Sequence, residues 1–306
     1  MRRIVLTGAT SMLGIALIKE CIRNGTHIVA IVRPNSTHIQ RLPTSELVEI
    51  LEGDLCTLST IEYGRTGFDA FYHFAWQGTD RKGRLDADIQ MENVRYTLDA
   101  VKLASKLGCS TFIGAGSQAE YGRADSTLTW DTPVNPEIAY GIAKYSASRL
   151  SAVKSKELGI RHIWARVLSV YGPYDGEHTM IMSGIRQLLK NERPQYTKGE
   201  QLWDYLFCSD AAKAFYLMGE KPKDQAVYCL GSGKSRPLHE FVTMMRDTIN
   251  SNLEIGIGEL EYPPNQVMRL CADISNLTRD TGFEPKIDFQ EGIKTTIQWY
   301  RETMSQ

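Results

Sequence analysis

A short apolar segment, Arg3–Thr7, runs directly into Gly8-Ala9-Thr10-Ser11-Met12-Leu13-Gly14 and on into a helically spaced stretch, Met12–Asn24. Strand, glycine-bounded loop and helix in that order constrain this chain more than any other feature. Glycine at 8 lets the chain turn sharply, and glycine at 14 lets the helix pack close to the strand. The helix start then offers free N–H groups to a pyrophosphate. Ser11 stands where the middle glycine of such loops usually lies. Its N–H and hydroxyl are still donors, but its side chain keeps a phosphate slightly further from the backbone. Gly8, Thr10, Ser11, Met12, Leu13 and Gly14 are therefore the expected phosphate cradle.

The rest of the first half repeats this rhythm. His27–Val32, Val48–Leu51, Ala70–Phe74 and Thr111–Gly114 read as further strands, each a short apolar run closed by turn chemistry. Met12–Asn24 stops at Asn24-Gly25, and Ile89–Leu107 carries Val94, Leu98 and Val101 at helical spacing before Gly108. Strands alternating with helices predict an α/β fold: a Rossmann-type, doubly wound parallel sheet with ligands beyond the carboxyl ends of its strands. Beyond residue 165 prolines and glycines recur and isolated helices, Met180–Lys190 and Leu238–Ile249, stand between irregular stretches. The expected division is a dinucleotide-binding domain over 1–165, with later segments returning to it, and a smaller interleaved substrate lobe over 166–306.

Composition excludes several classes. A net charge of −1 without basic clusters gives no nucleic-acid footprint. No apolar run approaches the ~20 residues that span a bilayer, and the stretch after Arg2-Arg3 breaks too early for a signal peptide. The chain reads as cytoplasmic, without a membrane. The six cysteines lack C-x-x-C or metal spacing and are expected to be buried, reduced thiols. His73, His178 and His239 suggest no metal site, and His73 is expected to be structural. The sequence leaves room for a homodimer.

The second strand ends Ile31-Val32-Arg33-Pro34 without the acid that would hold a ribose 2′-hydroxyl. Arg33 suits a 2′-phosphate instead, so NADP(H) is favoured over NAD(H), which the loop also admits. Asp54 and Leu55, after the third strand, and Phe74 and Ala75, after the fourth, complete the expected cofactor contacts.

Tyr140 and Lys144 stand four apart, on one face of a helix. An ammonium beside a phenol favours phenolate and brings the tyrosine toward service as an acid/base. Ser117, after the strand at Thr111, offers a second hydroxyl.

Taken in order, Thr7–Gly14, Asp54-Leu55, Tyr72-His73-Phe74-Ala75, Asn93-Val94 with Thr97, Ser117 with Tyr121-Gly122, Tyr140 with Lys144, Arg166 with Val170-Tyr171-Gly172-Pro173, Asp204-Tyr205 with Asp210, and Gly282-Phe283-Glu284-Pro285 span nearly the whole chain. The chain resembles the extended short-chain dehydrogenase/reductase family of nucleotide-sugar epimerases, dehydratases and reductases. That resemblance implies Tyr140 as acid/base, Lys144 as its cofactor-binding helper, Ser117 as the second hydroxyl, and a nucleotide sugar as substrate.

Departures narrow the reading. The Asp-Glu pair of the family's 4,6-dehydratases is replaced by Gln118 and Ala119, and Glu120 comes one place too late. Ser169 replaces the expected substrate asparagine, and Trp203 and Pro263 stand in place of two diphosphate arginines. Arg236 and Arg269, with Lys198 and Arg186, are the cations available instead. Gln118, Ser169, Trp203, Arg236 and Arg269 are thus the substrate candidates, and Trp76 is a further aromatic for the sugar or base pocket. The first functional expectation is reduction of a 4-keto nucleotide sugar. The second is a 4-epimerase with retained NAD, and the third a non-catalytic NADP-sensing regulator.

Overall fold

The computed structural model describes residues 1–304. Arg3–Thr7 forms β1, and Met12–Arg23 forms α1, closed by Asn24 with Gly25 in the left-handed region. β2 (His27–Val32), β3 (Val48–Glu52), β4 (Ala70–His73), α2 (Ala87–Lys106), β5 (Thr111–Ser117), α3 (Ala139–Glu157) and β6 (Arg161–Val167) follow. The sheet order is β3-β2-β1-β4-β5-β6, all parallel.

Pleating divides the core. Ile4, Leu6, Tyr72 and Ile113 face Leu17 and Ile18 of α1. Val5, Phe71 and Phe112 face Val101 and Ala104 of α2. Strands buried on both faces need such near-continuous apolar runs. The fifth strand extends three residues past the expected Thr111–Gly114. Gly114 and Gly116 concealed it: a Cβ at either would sit 2.2 Å from the Trp164 ring of β6, so glycine here is a packing demand and not a strand end.

β7 (Ser169–Tyr171), α4 (Met180–Leu189), β8 (Gln195–Tyr196), β9 (Leu202–Trp203), β10 (Tyr205–Phe207), α5 (Cys208–Glu220), β11 (Ala226–Leu230), β12 (Arg236–Pro237), α6 (Leu238–Asn250), β13 (Gly256–Ile257), α7 (Ser275–Thr281) and α8 (Phe289–Met304) make up the remainder. Two of these elements join the sheet layer. β11 pairs with β6 as a seventh parallel strand, and α5 packs beside α1. The other short strands pair locally, β7 with β10, β8 with β13 and β9 with β12. Around them Tyr205, Phe241 and Phe289 meet edge-to-face or tilted at 4.6–5.6 Å between ring centroids. Among the described residues no helix is long and apolar enough to cross a membrane. All six cysteines are free and five are buried. Cys56 is the exception, exposed on the 3-10 turn Leu55–Thr60, whose inward positions are taken by Leu55 and Leu58.

Candidate active site

Strand order reverses between β1 and β4, and a cavity of about 860 Å³ opens there at the carboxyl ends. Gly8, Thr10, Ser11, Arg33, Asp54, Leu55, Phe74 and Ala75 all line it. Met12, Leu13 and Gly14 follow as the first turn of α1, outside the lining. Gly8 has φ +74°, and a Cβ there would sit 2.7 Å from the Ala75 nitrogen. A Cβ on Gly14 would sit 2.2 Å from the Gly8 carbonyl oxygen, so β1, β4 and α1 meet at backbone contact. The close approach, the helix start and the cavity together fit a dinucleotide.

Ser11 acts differently from the sequence expectation. Its hydroxyl donates to the Gly8 carbonyl at 2.7 Å and accepts from the Gly14 N–H at 3.1 Å, and its own N–H also returns to Gly8. Serine here caps the helix and closes the loop, so its donors serve the loop before any phosphate. Asp54 likewise caps a turn, accepting from the Leu55 N–H at 2.6 Å.

The far end of the cavity is cationic. His38 and Arg41 join Arg33 on its wall, none of them on a regular strand or α-helix. Partial burial, then the charges of Arg41 and Arg33, hold the His38 imidazole below its usual pKa. Sequence reading found only Arg33. The other two lie in an irregular stretch that carries no periodic signal.

Ser117, Tyr140 and Lys144 converge at the ends of β5 and α3, all buried. They stand outside the cavity lining, and Trp76, which lines it, packs against Lys144 and Tyr140. The Lys144 Nζ donates to the Ala115 carbonyl at 2.7 Å and sits 3.6 Å from the Trp76 ring centroid. Burial drives its pKa down to about 7, with Glu120 opposing and Arg84 reinforcing the shift. Burial raises the Tyr140 pKa, while Arg84 and the Ser117 side chain pull it back. His73 is buried, bonded to Thr7 at 2.9 Å, and held neutral with a pKa of about 3.

Glu120 was not expected to matter. The turn Gln118–Glu120 swings its carboxylate back over β5, where it accepts from the Ser117 N–H and the Trp164 Nε1, each at 2.9 Å. A serine followed three residues later by glutamate is a capping-box pattern, so the signal was present. Gln118 stays half-buried at the start of this turn.

Substrate candidates gather on one strip. Trp203 donates to the Ser169 hydroxyl at 2.8 Å. Arg236 lies in register with Trp203 on one side of β9, and Arg269 bridges to Leu202 on the other. Lys198 is exposed and Arg186 half-buried on α4.

A family model described as the NAD dependent epimerase/dehydratase family matches residues 4–231. The chain belongs to that family. It is 22% identical to a dTDP-glucose 4,6-dehydratase of Streptomyces niveus, over 98% of this chain and 93% of that one. It is 26% identical to the dTDP-4-dehydro-6-deoxyglucose reductase of Escherichia coli, over 72% of this chain and 71% of that one. Its fold superposes on a UDP-N-acetylglucosamine 4-epimerase from Methanobrevibacter ruminantium M1, solved with UDP-N-acetylmuramic acid, at a TM-score of 0.89, 23% identity and 99% coverage of both chains. The chain is thus a member of an enzyme family of nucleotide-sugar dehydratases, epimerases and reductases that depend on NAD(P).

Proposed function

We propose that this protein reduces a 4-keto nucleotide sugar with NADPH. The carrying observation is the convergence of Ser117, Tyr140 and Lys144 beside a dinucleotide-sized cavity whose far wall holds Arg33, His38 and Arg41. When bound, the nicotinamide supplies hydride. Tyr140 gives its proton to the sugar carbonyl oxygen, Ser117 donates a second hydrogen bond to that oxygen, and Lys144 holds the cofactor ribose and orients the pair. Loop N–H groups and the α1 start receive the pyrophosphate, and the arginines receive the 2′-phosphate. Gln118 and Ala119 supply no acid for dehydration, which separates this reading from the dehydratases.

The same three residues would serve a 4-epimerase, a reading favoured by the fold likeness to an epimerase. Exposed Ile142, Leu150 and Val153, on one side of α3, supply an apolar face for a homodimer. The test is to mix the purified protein with NADPH and a panel of nucleotide 4-keto sugars, following cofactor absorbance and product. Stoichiometric NADPH loss with a new sugar alcohol is expected. Tightly retained NAD and interconversion of two sugars without net NADPH loss would replace reduction with epimerisation.

A further inference from the structure

Tyr174, three residues beyond β7, holds a φ of +70°, in the left-handed region that a side chain as large as tyrosine rarely enters. The turn around it is fixed. The Asp175 N–H donates to the Gly172 carbonyl at 3.2 Å, and the Asp175 carboxylate accepts from the Gly176 N–H at 2.7 Å and the Thr179 hydroxyl at 3.0 Å. Such a conformation persists only where its surroundings over-determine it, and it clusters at ligand sites. Here it brings the Tyr174 ring against three distant elements. Trp299 of α8 meets it at 4.9 Å between centroids. The Arg41 guanidinium lies 5.6 Å from its centroid, and the Lys19 ammonium of α1 lies at 5.9 Å.

We propose that Tyr174 is a positioning residue for cofactor choice, its ring seating Arg41 at the 2′-phosphate end of the cavity. Arg41 needs such a seat. It ends the short 3-10 turn Ile39–Arg41, and no carboxylate pairs with it among the described residues. A long side chain left to itself samples many rotamers, and fixing them offsets part of what a phosphate contact contributes. An aromatic face orders a guanidinium through its flat surface, while the edge N–H groups stay free for a phosphate. A carboxylate in the ring's place would answer the charge and repel that phosphate. Lys19 is exposed and does not line the cavity, so Arg41 is the cation that the ring delivers to it. Tyr174 itself is outside the lining and acts through Arg41. The inference rests on the proposed use of NADPH and extends it to a residue beyond the cofactor wall.

Calorimetry with NADPH and NADH on the full chain reads the effect as the ratio of their dissociation constants. Tyr174→Leu should lower the preference for NADPH about two- to fivefold, the range of one exposed cation–π contact, and leave NADH affinity unchanged. Tyr174→Phe keeps the ring and should keep the preference. In an Arg41→Ala background Tyr174→Leu should lower it no further, which a role in folding alone would not produce. A wild-type preference that Tyr174→Leu leaves intact overturns the proposal, and so does an equal fall in both backgrounds. Equal affinities for the two cofactors in the wild type would instead overturn the NADPH reading, and this inference with it.

Discussion

Glu120 has none of its side chain exposed, and its Oε2 accepts from the Arg166 Nε at 2.9 Å in a buried ion pair. The other oxygen serves the Ser117 N–H and Trp164, and the Arg166 guanidinium lies 4.5 Å from the Tyr121 ring centroid. One carboxylate thus ties the end of β5 to β6 and fixes the turn that presents Ser117.

Removing one partner of such a pair strands the other charge. Glu120→Ala should cost about 3–5 kcal/mol of stability, measured by urea unfolding. Glu120→Gln keeps the acceptor oxygen for Ser117 and should cost less. Equal losses in the two variants would mean that the charge carries the whole effect and the hydrogen bond that Gln retains adds nothing.

Lys144 makes the opposite kind of contribution. Burial lowers its folded pKa to about 7, against ~10.4 in an unfolded chain. Between those values the unfolded state holds a proton that the folded one has released, so this group's contribution to stability improves as pH rises through that window. Below pH 7 the cost of burying the ammonium is fully present. Lys144→Met keeps the buried stem and removes the charge, so it should raise the melting temperature most at pH 6 and progressively less toward pH 9. Catalysis should be lost at every pH. A stabilisation that grows with pH would show that the lysine is not held near neutrality.

Much of the sheet was legible because its strands are short apolar runs ended by glycine, proline or polar turns. β1 and β2 fall on their expected residues, and α1 ends where Asn24-Gly25 said it would. Ser117, Tyr140 and Lys144 were legible because strand end and helix spacing are local properties. Arg84 was not, since its position is set by Gln90, six residues further on, through bonds to two glycine carbonyls. Trp76 could be named as an aromatic candidate. Its seat on Lys144 could not, because that contact joins the end of β4 to α3. Glu120 was readable as a cap, and its carboxylate turns back to the Ser117 N–H as that pattern requires.

The proposed use of NADPH rests on the cationic end of the cavity. NADPH should bind more tightly than NADH, and Arg33→Ala should remove most of the difference. Charge-assisted hydrogen bonds contribute ~1.5–3 kcal/mol, so a tenfold or larger change in affinity is expected. Arg41→Ala should act in the same direction with a smaller effect, because Arg41 also lies over the Tyr174 ring at 5.6 Å. Titration calorimetry with both cofactors measures this. Equal wild-type affinities would remove the phosphate role and turn attention to the epimerase reading.

The last expectation concerns the substrate diphosphate. Two of the arginines expected to hold it are replaced by Trp203 and Pro263, yet a diphosphate enclosed without a cation is strongly disfavoured. Arg236 and Arg269 flank β9 from opposite sides and compete for the task. Arg236 is exposed and faces Glu240 at 3.9 Å, so its charge is already partly answered. Arg269 is half-buried, its Nε has no partner among the described residues, and its terminal nitrogen reaches only Thr127 at 3.4 Å. A buried donor without an acceptor is costly unless a ligand supplies one. Arg269→Ala should therefore raise the nucleotide-sugar KM more than tenfold, about 1.4 kcal/mol or more, while leaving NADPH affinity unchanged. Its melting temperature should hold or rise, since the substitution removes an unsatisfied group. An unchanged KM with Arg269→Ala and a raised one with Arg236→Ala would transfer the role across β9. If neither variant alters KM, the strip does not hold a diphosphate, and a sugar without one becomes the substrate to test.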